Sequence, residues 1–272
     1  MKKTIGFIGS GNMGGAIIAG LVGSALVSSN QIIASSVQEE SLQSLKDKYA
    51  IRTTLDNKAV AAEADILFLA VKPNIYAPVI EEIKGAVKEN VVIVTIAAGK
   101  SLEEIQERFG REIKIVRAMP NTPALVGEGM TGICANEMVS VAELTDVKTI
   151  FDSFGRTELI SEYLMDAVTG VSGSSPALVF MFIESLADGA VRGGMPRQQA
   201  YKFAAQAVLG SAKMVLETGK HPGELKDMVC SPGGTTIEAV AELEKHGFRN
   251  AVISAVQTTI DKSIAMSKPA EH

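Results

Sequence analysis

Tryptophan is absent, and only two cysteines and three histidines occur among 272 residues. Cys134 and Cys230 lie far apart, and neither belongs to a CxxC or metal-spaced cluster, which argues against a disulfide framework or a cysteine zinc site. Both are expected to be reduced core thiols. His221, His246 and His272 are too few and too scattered for a multi-histidine centre, so no metal is expected. An excess of basic residues is missing as well: 26 Lys and Arg stand against 31 Asp and Glu, a formal net charge of -5. Phosphate-backbone binding needs a clustered basic surface, so nucleic acid is not an expected partner. No apolar run approaches the roughly 20 residues that span a bilayer. The longest candidate, Ala177 to Ile183, stops at Glu184. Met1-Lys2-Lys3-Thr4 leads straight into a strand pattern without a signal-peptide core. A cytoplasmic protein with no membrane partner is the expectation.

What is present supports a folded chain. Apolar residues make up 46% and charged residues 21%, enough to build a packed core, and the length suits two medium domains. From Lys3 to about Ile160 short β-branched runs alternate with longer helical patterns, as a parallel sheet with crossover helices requires. The strands predicted are Thr4–Ile8, Gln31–Ala34, Ile66–Ala70, Val91–Thr95 and Lys114–Arg117. Val91-Val92-Ile93-Val94 is apolar on both faces, which suits a strand covered by helices on each side. A doubly wound, Rossmann-type α/β domain is expected over residues 1–160.

Beyond Ser161 the strand signals stop, and residues 161–272 are expected to form an all-α domain. Ala200, Phe203, Ala204, Ala207, Val208, Ser211, Ala212 and Val215 follow helical spacing, while Tyr201, Ala205, Leu209 and Leu216 place apolar groups on a second face. Ser175 followed by Pro176 suggests an N-cap and a first helical residue. The seven apolar residues that follow exceed what one side of a helix can bury in its own small domain, so this helix is expected either at a subunit interface or as a central core helix. The tail from Ser267 to His272 is expected to fray.

Gly9-Ser10-Gly11-Asn12-Met13-Gly14 fits G-x-G-x-x-G, a weak signal alone. Its context strengthens it, because it follows the strand Ile5-Gly6-Phe7-Ile8 and precedes the helical run Ala16 to Leu21. The three glycines permit the tight turn, the approach of a pyrophosphate and the packing of helix on strand, and the helix N-terminus offers N–H groups to the anion. A nicotinamide dinucleotide is the expected cofactor. An acidic residue at the end of the second strand would bond the ribose 2′-hydroxyl of NAD and repel a 2′-phosphate. Ser35-Ser36-Val37 stands there instead, which favours NADPH while leaving NADH open; Glu39 and Glu40 fall later, at the start of the next helix. Ala70-Val71-Lys72-Pro73, Ala97-Ala98-Gly99 and Met119-Pro120-Asn121-Thr122-Pro123 follow later strands, where an open α/β sheet collects its ligands.

A second glycine-rich segment, Cys230-Ser231-Pro232-Gly233-Gly234-Thr235-Thr236-Ile237-Glu238, precedes a helical stripe. Thr235 with Glu238 fits a capping box, which would leave the Thr236 hydroxyl free for a ligand. Free N–H groups and the positive helix end make this loop a candidate carboxylate seat. Dehydrogenases acting on alcohols usually need a strong proton donor or acceptor, and no well-placed one is evident among His221, His246 and Lys72. A protonated imine is already an electrophile, so one hydrogen bond between Thr236 and its nitrogen, plus correct placement, would suffice.

These segments, with Arg117 to Ala124, Gly170-Val171-Ser172-Gly173-Ser174 and Leu225 through Thr236, resemble pyrroline-5-carboxylate reductase over essentially the whole chain. The resemblance implies a Rossmann domain, an α-helical dimerisation domain, and reduction of a ring C=N by NAD(P)H to give L-proline, the last step of proline biosynthesis. It implies a homodimer, often assembled into a decamer of five dimers. Residue by residue, it implies that Gly9, Ser10, Gly11, Asn12, Met13 and Gly14 hold the pyrophosphate, Ser35 and Ser36 the 2′-phosphate, and Asn57 the adenosine side. Ala70, Val71, Lys72, Pro73, Ala97, Ala98 and Gly99 would line the ribose and nicotinamide. Ser231, Gly233, Gly234 and Thr235 would hold the substrate carboxylate, with Thr236 on the imine nitrogen as the catalytic residue. The family usually continues its Gly-Ser motif as Gly-Pro-Ala-Tyr, whereas this chain has Ser175-Pro176-Ala177-Leu178, a departure that bears on pocket shape near that helix start.

Two other readings compete. A β-hydroxy-acid dehydrogenase on a similar scaffold would carry a catalytic lysine on the first long helix of the second domain, and Ser175 to Val191 contains none. A non-catalytic NADPH-sensing module would bind the cofactor and leave it unoxidised.

Overall fold

The computed structural model describes residues 1–267. The expected frayed tail falls, apart from Ser267, outside the described residues. Eight strands form one sheet in the order β3-β2-β1-β4-β5-β6-β7-β8. In chain order the elements are β1 Ile5–Ile8, α1 Asn12–Gly23, β2 Ile32–Ser35, α2 Glu39–Tyr49, β3 Arg52–Thr54, α3 Asn57–Glu63, β4 Ile66–Leu69, α4 Tyr76–Ile83, β5 Val92–Thr95, α5 Leu102–Phe109, β6 Lys114–Met119, β7 Gly129–Ala135, α6 Val141–Asp152 and β8 Gly155–Leu159. The first six strands run parallel, β7 is antiparallel to β6, and β8 is parallel to β7.

All four residues of each of β1, β2, β4 and β5 are buried, as parallel strands between two helical layers must be. Alternation along the strands divides the apolar side chains between two cores. Phe7 and Phe68 stack at 4.8 Å on one face, with Phe151 and Phe154 continuing the aromatic row from α6 and the turn after it. Leu67, Leu69, Ile93 and Ile115 point to the other face, against α4 and α5. Each buried phenylalanine removes enough apolar surface to stabilise by about 2–3 kcal/mol. A Cβ on Gly20 would sit 2.4 Å from the Phe154 ring, so α1 approaches this row only because that position lacks a side chain.

Three strands were not legible in the sequence. β3 is three half-buried residues, Arg-Thr-Thr, and β7 and β8 are rich in Gly and Thr, so none shows an apolar run. Their pairing comes from the sheet edge beside them, a tertiary cause that local propensity does not register.

The chain divides into two compact units, Met1–Ser174 with the stretch from Thr259 onward, and Ser175–Thr258. The remaining helices are α7 Met165–Val168, α8 Ser175–Arg192, α9 Arg197–Thr218, α10 Pro222–Val229, α11 Thr235–Lys245 and α12 Phe248–Ser267. A π-helical turn, Thr169–Gly173, follows α7, and Ser174 is already near helical geometry at φ −101° and ψ −25°. Ser175 is therefore the first residue of α8 and Pro176 the second, one position later than a Ser175 N-cap would give.

Within the second unit α8 and α9 pack through small residues, and its buried apolar cluster consists of Ala187, Ala200 and Ala204. Large apolar side chains stay open in the single chain: Phe180 is 63% exposed and Phe203 67%. The stretch Glu162–Arg192 is long and apolar enough, by length and composition alone, to cross a membrane.

Candidate active site

The sequence order reverses around β1, which lies between β2 and β4, so the carboxyl ends of β1 and β4 border the crevice where such sheets bind ligands. Gly9 leaves β1 at φ +95°, and a Cβ there would lie 2.6 Å from the Ala70 carbonyl oxygen at the end of β4. Only glycine meets both demands cheaply. A Cβ on Gly14 would lie 2.8 Å from the Gly9 carbonyl, closing the turn onto the helix. Gly11 is the extended N-cap of α1, with no side-chain cap and open space where a Cβ would stand. The first N–H groups of α1 thus face out unfilled, and its first turn carries no acidic residue.

Beside this turn lies a cleft of about 410 Å³ lined by Gly11, Asn12, Met13, Ala70, Val71, Lys72, Pro73, Ile96, Ala97, Ala98, Met119 and Pro120. The Ser10 hydroxyl oxygen is buried and has no hydrogen-bond partner among the described residues. An orphaned donor next to unfilled helix N–H groups fits an anionic group, so the residues present suit a dinucleotide. Ile96, Met119 and Pro120 join the cleft wall; of these, Ile96 was not foreseen, because the turn after β5 reads as beginning at Ala97.

The remaining cofactor candidates separate by placement. Ser35 is fully buried, and its hydroxyl donates to Asn57 Oδ1 at 2.7 Å and approaches the Phe7 carbonyl at 3.4 Å. Its side chain is therefore not presented to a 2′-phosphate, and it orients Asn57 instead. Ser36 is half-buried, and its hydroxyl accepts from the Gln38 N–H at 3.2 Å. Asn57 also donates from Nδ2 to Glu82 at 2.9 Å. Gly99, at φ +72°, turns from the cleft lining toward the end of α12, where a Cβ would meet the Met266 backbone at 3.2 Å.

Beneath the cleft, the Tyr76 hydroxyl donates to the Leu69 carbonyl at 2.5 Å and accepts from the Thr95 hydroxyl at 3.1 Å. Burial pushes the phenol up to about 12, against the smaller opposing effect of the Thr95 hydroxyl and nearby backbone N–H groups, so it stays neutral and a donor. A tyrosine three residues past a Lys-Pro turn, in a helix whose other buried residues are Val79, Ile80 and Ile83, was the one available signal for it.

The glycine-rich turn of the second unit joins α10 to α11. Gly233 takes φ +66°, and the Gly234 N–H donates to the Ser231 carbonyl at 3.1 Å. Gly234 is the extended N-cap of α11 with no side-chain cap, so the expected Thr235–Glu238 capping box does not form: Thr235 is already inside the helix as its first residue. The cause is the Ser231–Gly234 turn, in which a Cβ on Gly234 would lie 2.3 Å from the Ser231 hydroxyl oxygen. The Gly234 N–H is thereby committed, whereas the N–H groups of Thr235 and Thr236 open the helix and face outward. Among the described residues neither threonine hydroxyl has a partner; Thr235 is exposed and Thr236 half-buried. His221 accepts the Gly223 N–H at 3.0 Å as the cap of α10, and His246 ends α11 against Glu242. Both imidazoles have structural employment away from this turn.

Comparison with known proteins decides the family. The chain is 54% identical over 268 residues to a pyrroline-5-carboxylate reductase of Escherichia coli, covering 98% of this chain and all of that one. This chain belongs to the pyrroline-5-carboxylate reductase family. The family described as pyrroline-5-carboxylate reductase dimerisation matches residues 162–266, and one described as NADP oxidoreductase, coenzyme F420-dependent, matches residues 4–99. A solved reductase of Coxiella burnetii superposes with a TM-score of 0.92 at 34% identity, covering 99% of this chain and 100% of that one. A Plasmodium falciparum reductase solved with NADP bound gives 0.90 at 34% identity, with 98% and 99% covered. The fold is thus a nucleotide-binding Rossmann-type domain followed by a helical dimerisation domain, and the chain is an oxidoreductase with a nicotinamide cofactor. This membership answers the hydroxy-acid dehydrogenase and the non-catalytic sensor readings.

Proposed function

We propose that this chain reduces 1-pyrroline-5-carboxylate to L-proline, the last step of proline biosynthesis, using NADPH. The carrying observation is the turn before α11, which offers uncapped helix N–H groups and two threonine hydroxyls that, among the described residues, have no partner and no histidine at hand. A ring carboxylate suits the N–H groups of Thr235 and Thr236 together with Ser231 and Gly233. Gly234 contributes by shape, since its own N–H closes the turn. Thr236 is the assigned catalytic residue, orienting the ring nitrogen by a hydrogen bond.

NAD(P)H supplies the hydride when bound, and the protein's part is to hold both reactants. The Gly9 to Gly14 turn takes the pyrophosphate on the N–H groups of α1 and the Ser10 hydroxyl, while Ala70 to Pro73 and Ile96 to Ala98 wall the remainder of the cleft. The protonated imine accepts hydride at the ring carbon to give a neutral secondary amine, which then takes one proton from water and leaves with its nitrogen charged, so no side-chain acid is required at the hydride step. That chemistry matches a site without an acid–base histidine.

NADPH is favoured over NADH because β2 ends in Ser35-Ser36 and not in a carboxylate, with Ser36 the member of the pair that is partly open. The exposed apolar faces of α8 and α9 fit burial between two copies of the chain, giving a homodimer; five such dimers forming a decamer is the larger assembly proposed. The same dimer accounts for the apolar stretch Glu162–Arg192 without a membrane. A cytoplasmic location suits a reaction between two small soluble reactants.

The test is to mix purified protein, the pyrroline acid and NADPH or NADH, following loss of reduced nicotinamide and formation of L-proline. Stoichiometric proline with a higher kcat/KM for NADPH supports the reading. Cofactor binding without oxidation contradicts it.

A further inference from the structure

β4 and β5 lie side by side in parallel register, Leu69 opposite Thr95. Immediately beyond that pair the two strands diverge into the turns that wall the cleft, Ala70 to Pro73 and Ile96 to Ala98. Tyr76, the first residue of α4, turns back under this fork. Its side chain is 1% exposed, and its hydroxyl meets both strand ends: it donates to the Leu69 carbonyl at 2.5 Å and accepts from Thr95 at 3.1 Å. One buried oxygen therefore ties the last residue of β4 to the last residue of β5, directly before the two cleft walls.

We propose that Tyr76 is a positioning residue for the nicotinamide cofactor, setting through Leu69 and Thr95 the separation of the two turns that wall its cleft. The inference rests on the cofactor assignment made above. Three features favour it over a plain packing role. The ring alone would fill the space, as apolar neighbours Val79, Ile80 and Ile83 do along the same helix. The hydroxyl gains nothing from water, so its orientation is fixed by these partners. Its bonds go to the two strand ends that carry the walls, and to no residue deeper in the core. A misplacement of about 1 Å at a reacting group can cost on the order of a hundredfold in rate, so a shared tie below both walls bears directly on how the cofactor sits.

The test compares Tyr76→Phe, Thr95→Val and the double variant, measuring NADPH dissociation constant by fluorescence titration, KM for the pyrroline acid, and thermal midpoint. Tyr76→Phe is expected to weaken NADPH binding about 5- to 10-fold while the imino-acid KM stays within about two-fold, since the carboxylate turn is a separate structure. Replacing both partners of a buried hydrogen bond by apolar groups removes the unpaired-group penalty. The double variant removes only the Thr95 half of that penalty, the Leu69 carbonyl still lacking its donor, and is expected to recover part of the thermal midpoint but not NADPH affinity. Unchanged affinity in Tyr76→Phe overturns the proposal, as does affinity that returns together with stability in the double variant. If Tyr76→Phe does not fold, Thr95→Val alone carries the same criterion: weakened NADPH binding supports the tie, wild-type binding contradicts it. Failure of the wild-type protein itself to bind NADPH would instead overturn the cofactor assignment.

Discussion

The two glycine-rich turns make the same kind of seat from different surroundings. The Gly9–Gly14 turn is embedded: its glycines are required by neighbours, with the Ala70 carbonyl 2.6 Å from a Cβ on Gly9 and the Gly9 carbonyl 2.8 Å from one on Gly14. The Ser231–Gly234 turn is open, since a Cβ on Gly233 would meet nothing within 4 Å. The units that carry them differ in the same way. The nucleotide-binding unit closes two large apolar cores around its sheet, whereas the second unit buries only three alanines in its apolar cluster and leaves Phe180 and Phe203 open. A seat in a finished core is rigid by itself; a seat in an unfinished one depends on what completes it.

The largest effect expected from breaking this contrast lies on the open face. Phe180→Asp places a charge where the second copy is proposed to pack, and a central interface aromatic is often worth 2 kcal/mol or more. Sedimentation should show loss of the dimer and the assay loss of reductase activity, while NADPH titration stays within about two-fold of wild type. A variant that remains dimeric and active would remove α8 from the interface.

The next effect compares the turns directly. Gly9→Ala combines left-handed strain, about 1–3 kcal/mol, with displacement of the β4 end, and should weaken NADPH binding by roughly 30-fold or more. Gly233→Ala adds the backbone strain alone, about 1 kcal/mol, and should raise the imino-acid KM by about five-fold without touching NADPH affinity. Equal effects of the two substitutions, read by titration and steady-state kinetics, would mean that the second turn is as enclosed as the first.

Much of this contrast was legible in the sequence because it is local. The glycine fingerprint between Ile8 and Ala16 specifies its own strand, turn and helix, and the apolar run of α8 announces a face too large for its own unit. The parts that were not legible depend on distant neighbours. Nothing in Ser35 itself tells that its hydroxyl is consumed by Asn57, because that follows from β2 lying next to the start of α3. Thr235 and Glu238 have capping-box spacing, yet the Ser231–Gly234 turn moves the cap one residue earlier. Nothing in Tyr76 itself marks its place, which appears only when β4 and β5 are paired.

The central claim is that the turn opening α11 holds the reacting imine and that the nucleotide seat is independent of it. Thr236→Ala tests it most directly, with kcat, imino-acid KM and NADPH dissociation constant measured on one preparation. The account predicts turnover lower by about a hundredfold, the scale of losing one hydrogen bond at a reacting centre, with NADPH binding within about two-fold of wild type and substantial recovery in Thr236→Ser. Undiminished turnover, or a parallel loss of NADPH binding, would contradict it.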